Sequence, residues 1–85
     1  MSQKTVFVGS LPYEFSENEV YELCQEIGDI EKVNVITDRD TGQSKGFAFV
    51  TFVKQHDAEN AIKELNGKDI NGRKIVVNMA KPKAN

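Results

Sequence analysis

The sequence predicts an α+β fold in two layers, one four-stranded antiparallel sheet with two helices on a single face. Three observations predict it. Four short runs rich in β-branched and aromatic residues are interleaved with two stretches of helical apolar spacing, in the order β-α-β-β-α-β. The two middle strand runs are joined by a polar segment of hairpin type, whereas the other strands are linked through the helices, whose right-handed crossovers put both on one side. The length of 85 residues allows about one small domain and no more.

The first strand is Thr5-Val6-Phe7-Val8-Gly9, stopped by Ser10-Leu11-Pro12. The first helix then has several independent start signals. Ser16 can cap it, Glu19 three residues on completes a capping box, and Phe15 and Val20 stand at the positions of a hydrophobic staple. Val20, Leu23, Cys24 and Ile27 form one buried stripe, and Gly28 is expected to close the helix in the left-handed conformation. A second strand fits residues 32–36, with Val33 and Val35 on one side. The loop from Thr37 to Ser44 contains Asp38, Asp40 and Gly42. The third strand, residues 46–52, is the most apolar stretch of the chain. A second helix over residues 57–65 places Ala58, Ala61, Ile62 and Leu65 on one stripe, and Asn66-Gly67 ends it. Asn71-Gly72 is the dipeptide of a tight hairpin turn, and residues 74–78 make the last strand. This order is the split-βαβ or ferredoxin-like arrangement, a single domain over residues 4–82 with short tails at 1–3 and 83–85.

Composition narrows the function. The chain has 39% hydrophobic and 28% charged residues, ordinary for a folded domain. No apolar run is long enough to cross a bilayer as a helix. The start, Met1-Ser2-Gln3-Lys4, has no secretory signal, which favours an intracellular address in cytoplasm or nucleus. With one cysteine, Cys24, and one histidine, His56, neither a disulfide nor a zinc site nor a Cys-His pair is expected. Cys24 lies in the helical stripe and reads as a small core residue. No phosphate-loop glycine spacing and no paired-carboxylate site appear, so the chain is expected to be no enzyme and to carry no cofactor or metal. Net charge is -2, but it is segregated. Residues 14–31 hold seven acids and no base, while the rest of the chain has 11 bases against 6 acids. Charges separated by more than about 8 Å are largely screened at physiological salt. An acidic helix on one side therefore need not repel an anion on the other.

A sheet covered by helices on one face leaves the other to solvent. In the third strand the two faces divide into Phe47, Phe49, Thr51 and Ala48, Val50, Phe52. Both sets are apolar, so periodicity alone leaves open which is buried. Either choice shows aromatic rings to water, and such a patch marks a binding surface unless a tail or second copy covers it.

Lys45-Gly46-Phe47-Ala48-Phe49-Val50-Thr51-Phe52 fills every position of the ribonucleoprotein octapeptide, and Val6-Phe7-Val8-Gly9-Ser10-Leu11 resembles its partner hexapeptide about 40 residues upstream. On these motifs, and along nearly the whole chain, the sequence resembles the RNA recognition motif family. It departs at Ser10, where the family most often has asparagine, a change that touches a loop hydrogen bond more than a stacking surface. The resemblance implies that Phe7, Phe47 and Phe49 point outward, and that Val6, Val8, Ala48, Val50 and Phe52 belong to the core with Val33, Val35, Ile75 and Val77. It implies single-stranded RNA as partner, with single-stranded DNA open because stacking does not read the 2′-hydroxyl. Phe7 and Phe49 would stack on bases, Phe47 would pack on sugars, and Lys45 would meet a phosphate. Asn34, Ile36, Val76 and Asn78 complete the face, and Lys81 and Lys83 follow the last strand, where the chain can cross bound RNA. The rival is a peptide-binding variant of the same fold that uses the acidic face of the first helix. Such variants lose octapeptide aromatics and gain an Arg-x-Phe signature, whereas this chain has Arg73-Lys74-Ile75. A monomer is expected, with no membrane partner.

Overall fold

The computed structural model describes residues 4–12, 14–37, 40–41 and 44–80. Strand β1 (Thr5–Gly9) is followed by α1 (Glu17–Gln25), β2 (Ile30–Thr37), β3 (Ser44–Phe52) and α2 (Gln55–Leu65). A two-stranded hairpin of β4 (Asp69–Ile70) and β5 (Arg73–Lys74) precedes the last strand, β6 (Val76–Met79). The main sheet has the order β2-β3-β1-β6, antiparallel throughout. This is the expected ferredoxin-like α+β arrangement with one hairpin added.

The helix layer selects the buried face of the sheet. Val20 and Cys24 from α1 and Ala58, Ala61 and Leu65 from α2 form one cluster with Val6, Val8, Ala48, Val50, Phe52, Ile75 and Val77. The rings of Phe7, Phe47 and Phe49 are of the opposite parity and stand outside that cluster. The ambiguity left by periodicity is thereby resolved. Val33 and Val35, expected in the core, are only half-buried against it, because β2 is the edge of the sheet and α1 alone covers it.

Helix α1 starts as its sequence dictates. The Glu19 carboxylate accepts from the Ser16 backbone N–H and from its hydroxyl, both at 3.0 Å, while Phe15 and Val20 pack into the core. Its end differs from expectation. Gly28 is not among the residues of positive φ, so it does not supply a left-handed cap. It is needed for space instead: a Cβ there would lie 2.7 Å from Asp57 Cβ and closer still to the carboxyl, in the first turn of α2.

Strand β2 is longer than the predicted 32–36 and carries a bulge. Ile30 pairs with Phe52 and Lys32 with Thr51, so Glu31 is an extra residue. Helix α2 begins two residues before the predicted 57, at Gln55. Lys54 gives it no side-chain cap, but i,i+4 contacts between Gln55 and Glu59 (3.2 Å) and between His56 and Asn60 (3.2 Å) hold the first turn. The predicted strand 74–78 is split. Ile75 donates to the Lys68 carbonyl (3.0 Å) and accepts from Gly67 (2.8 Å), so its backbone serves the hairpin and pairing with β1 starts at Val76. Asn71 (φ 51°) and Gly72 (φ 85°) are both left-handed, as a two-residue type I′ turn demands, and Gly72 donates to Asp69 Oδ1 at 3.0 Å.

Candidate nucleic-acid interface

The two central strands, β1 and β3, put their outward residues side by side. Phe7 pairs with Phe49 across the ladder, Phe49 with Asn34 on β2, and Phe7 with Asn78 on β6. One row across all four strands therefore reads Asn34–Phe49–Phe7–Asn78, and it unites four of the residues singled out by sequence. The Phe7 and Phe49 ring centroids are 5.7 Å apart at 61°, an edge-to-face pair. Phe47, two residues along β3, lies 5.7 Å from Phe7 at 36°. All three rings are half-buried: their edges pack on one another and their outer surfaces meet water.

Local backbone holds this cluster in place. Phe7 leans over Gly9, where a Cβ would come 2.8 Å from Phe7 Cε1, so only glycine leaves the ring its position. Along the sheet, the Thr5 and Thr51 hydroxyls share a hydrogen bond of 2.9 Å, and Lys32 stands opposite Thr51 in the same row. Asn34 and Asn78 are exposed and have no hydrogen-bond partner among the described residues, so both amides are available to a ligand. Ile36 is half-buried on β2 and Val76 is 38% exposed on β6. Lys81 and the Lys45 side chain lie outside the described residues.

A concavity of about 400 Å3 continues from Phe7 and Phe47 towards Ser10, Arg73 and Val76. Sequence reasoning missed Gly9, Ser10 and Arg73 as parts of the site. Gly9 was legible only as a hexapeptide position at the end of the first strand, and Arg73 comes near because the Asn71-Gly72 turn folds β5 back. Ser10 has φ 58°, a left-handed backbone that asparagine adopts more readily than serine. The departure at this position therefore bears on backbone conformation as well. Among the described residues no group of three or more His, Cys, Asp or Glu could hold a metal ion, and no helix is long and apolar enough to cross a membrane.

Comparison with known proteins identifies the family. The RNA recognition motif family model matches residues 6–76, most of the chain. The chain belongs to the RNA recognition motif family. It is 44% identical over 80 residues to glycine-rich RNA-binding protein 4, mitochondrial, of Arabidopsis thaliana, covering 94% of this chain and 58% of that protein. It is 42% identical over 78 residues to heterogeneous nuclear ribonucleoprotein Q of the same plant, covering 92% of this chain and 16% of that one. The chain thus spans less than two thirds of the length of these relatives. Among solved structures, an Sxl-lethal protein/RNA complex superposes with a TM-score of 0.92 at 35% identity, over 98% of this chain and 50% of that one.

Proposed function

We propose that this RNA recognition motif binds single-stranded RNA across its helix-free face. The observation that carries the proposal is the row Asn34–Phe49–Phe7–Asn78, which sets two aromatic rings between two unpaired amides on a rigid four-stranded frame. Phe7 and Phe49 stack on neighbouring bases, since every base has an apolar π-face, and Phe47 packs against the sugars between them. Asn34 and Asn78 offer hydrogen bonds to base edges, with Ile36 and Val76 as apolar flanks. Lys45 and Lys81 supply phosphate contacts. Family membership and the likeness to an RNA-bound structure support the class of ligand.

In this proposal the domain acts as a monomeric binding module and catalyses nothing. Its address is intracellular; the Arabidopsis relative is named as mitochondrial, one such compartment. Stacking contributes about 1–3 kcal/mol per base, so two stacks and a few phosphate contacts give on the order of 8 kcal/mol, a micromolar affinity.

The test is titration of short single-stranded RNA into the parent protein and into Phe7→Ala and Phe49→Ala, with amide spectra to check folding. Each variant is expected to stay folded and to bind about tenfold or more weakly. Undiminished affinity in either folded variant would remove the stacking model. Parallel titration with DNA of the same sequence measures how far the 2′-hydroxyl is read. Shifts confined to α1, with the three rings unmoved, would favour the peptide-binding variant instead.

A further inference from the structure

A second concave surface, of about 520 Å3, lies on the helix side of the sheet edge between α1 and β2. Tyr21, Ile30 and Val33 give it an apolar floor, Glu17 and Glu31 stand at its rim, and Lys32 is the base among its lining residues. The bulge at Glu31 makes the floor. Ile30 and Val33 are three residues apart and would face opposite sides of a regular strand. The inserted residue turns both towards the helix layer, where they pack against the core. Tyr21 opposite them remains 42% exposed, one of the largest apolar side chains left uncovered. Nothing in the described chain seals the edge, because β2 pairs only with β3.

The surroundings of this groove are strongly negative. Residues 14–31 carry seven acids and no base. None of the seven is in an ion pair among the described residues; Glu19 alone has a partner, the Ser16 cap. Helix α1 has no base in its last turn and ends on Glu26, so its negative end is left uncompensated too. Glu17 and Glu19 favour the start of α1, but the remaining acids have no partner among the described residues that would explain their clustering. An exposed apolar floor in such a field repels nucleic acid and attracts a positive chain.

We propose that the α1–β2 groove docks a short arginine- or lysine-rich segment of a partner protein. One aliphatic side chain seats on Tyr21, Ile30 and Val33, and flanking bases meet Glu17 and Glu31. The site is independent of the sheet face and leaves that face free for its own ligand.

The probe is the fluorescein-labelled peptide RRLRR, with EELEE as control, titrated into the whole chain while amide shifts are followed. Saturable binding of RRLRR alone, with shifts at Tyr21, Ile30 and Val33, is the expected result. The Glu17→Gln/Glu31→Gln pair should weaken it about tenfold, and Tyr21→Ser about fivefold, with single-stranded RNA affinity at about 0.15 M salt unchanged within twofold in both. Binding unaffected by Tyr21→Ser would reduce the groove to a diffuse charge and overturn the proposal. So would shifts at Phe7, Phe47 and Phe49 in place of the groove, or no saturation by millimolar peptide. Movement of the Tyr21 signals on removing residues 81–85 would make the chain's own end the occupant and would also overturn it.

Discussion

Cys24 occupies the middle of the α1 stripe with no solvent exposure, and burial pushes its thiol from an ordinary value near 9 up to about 11. The physical cause is the cost of placing a thiolate among apolar side chains. At neutral pH the thiol is protonated, a small core residue with little nucleophilic character. The shift also fixes a pH dependence. Above pH 9 the unfolded chain releases this proton while the folded chain holds it until about pH 11. The stabilisation is therefore complete below pH 9 and is lost as pH rises through 11. Two units correspond to roughly 3 kcal/mol. Urea unfolding of the parent and Cys24→Ala between pH 8 and 11 measures it. The variant should be less stable at pH 8, through the cavity it leaves, yet should fall less steeply with pH. Parallel slopes would mean that the thiol titrates alike in both states.

Helix and strand connections are held by close approach as much as by hydrogen bonds. At the α1–β2 connection Gly28 lies against Asp57 in the first turn of α2. Gly28→Ala places a methyl group inside the Asp57 side chain, and forced overpacking of this kind costs about 1–3 kcal/mol. Asp57→Ala alone should cost less, about 0.5 kcal/mol, the loss of an acid at a helix N-terminus. In the double variant the closest contacts, with the carboxyl, are gone while the two Cβ atoms would still be 2.7 Å apart. The clash is thus relieved in part, and the two costs should fail to add by about 0.5 kcal/mol or more. Urea midpoints of the four proteins give that coupling. Equal cost of Gly28→Ala in both backgrounds would show that something other than the Asp57 carboxyl fixes the glycine. The sequence marks this position as a helix stop, and only the docking of two elements distant in the chain reveals the second meaning. The same distinction runs through the fold. Helix α1 was legible because its capping box and staple are local, and Asn71-Gly72 because a type I′ turn needs two left-handed residues. The start of α2 was not, since Lys54 offers no cap, nor was the break at Ile75, whose backbone answers to residues 67 and 68. At the site, the rings and amides could be listed from parity and motif. Their union in one row depends on register, and the α1–β2 groove depends on a bulge that no local pattern announces.

At the scale of the whole molecule the decisive feature is separation of charge across a thin body. The shortest principal extent is 19 Å, with the rings on one face and the helix layer, including acidic α1, on the other. Across about 20 Å of water one carboxylate and one phosphate repel by roughly 0.2 kcal/mol without salt. At 10 mM salt, where the Debye length is about 30 Å, about half of this survives; at 0.15 M, where it is about 8 Å, roughly a tenth does. Glu22 and Glu26 are exposed acids of α1 and its C-cap, outside the lining of the α1–β2 groove. Replacing both by glutamine, written Glu22→Gln/Glu26→Gln, removes two charges acting on about three phosphates. The expected gain in RNA affinity is about threefold at 10 mM salt and less than about 1.5-fold at 0.15 M. Fluorescence anisotropy titrations of one labelled RNA at the two salts decide the matter. A gain above threefold that persists at 0.15 M would place RNA within a Debye length of α1, on the wrong side of the sheet for stacking on Phe7 and Phe49. Absence of any gain at 10 mM would put the phosphates farther from α1 than the thickness of the domain. The predicted pattern requires both layers: a sheet face carrying the ligand and a helix face whose field reaches it only when salt is low.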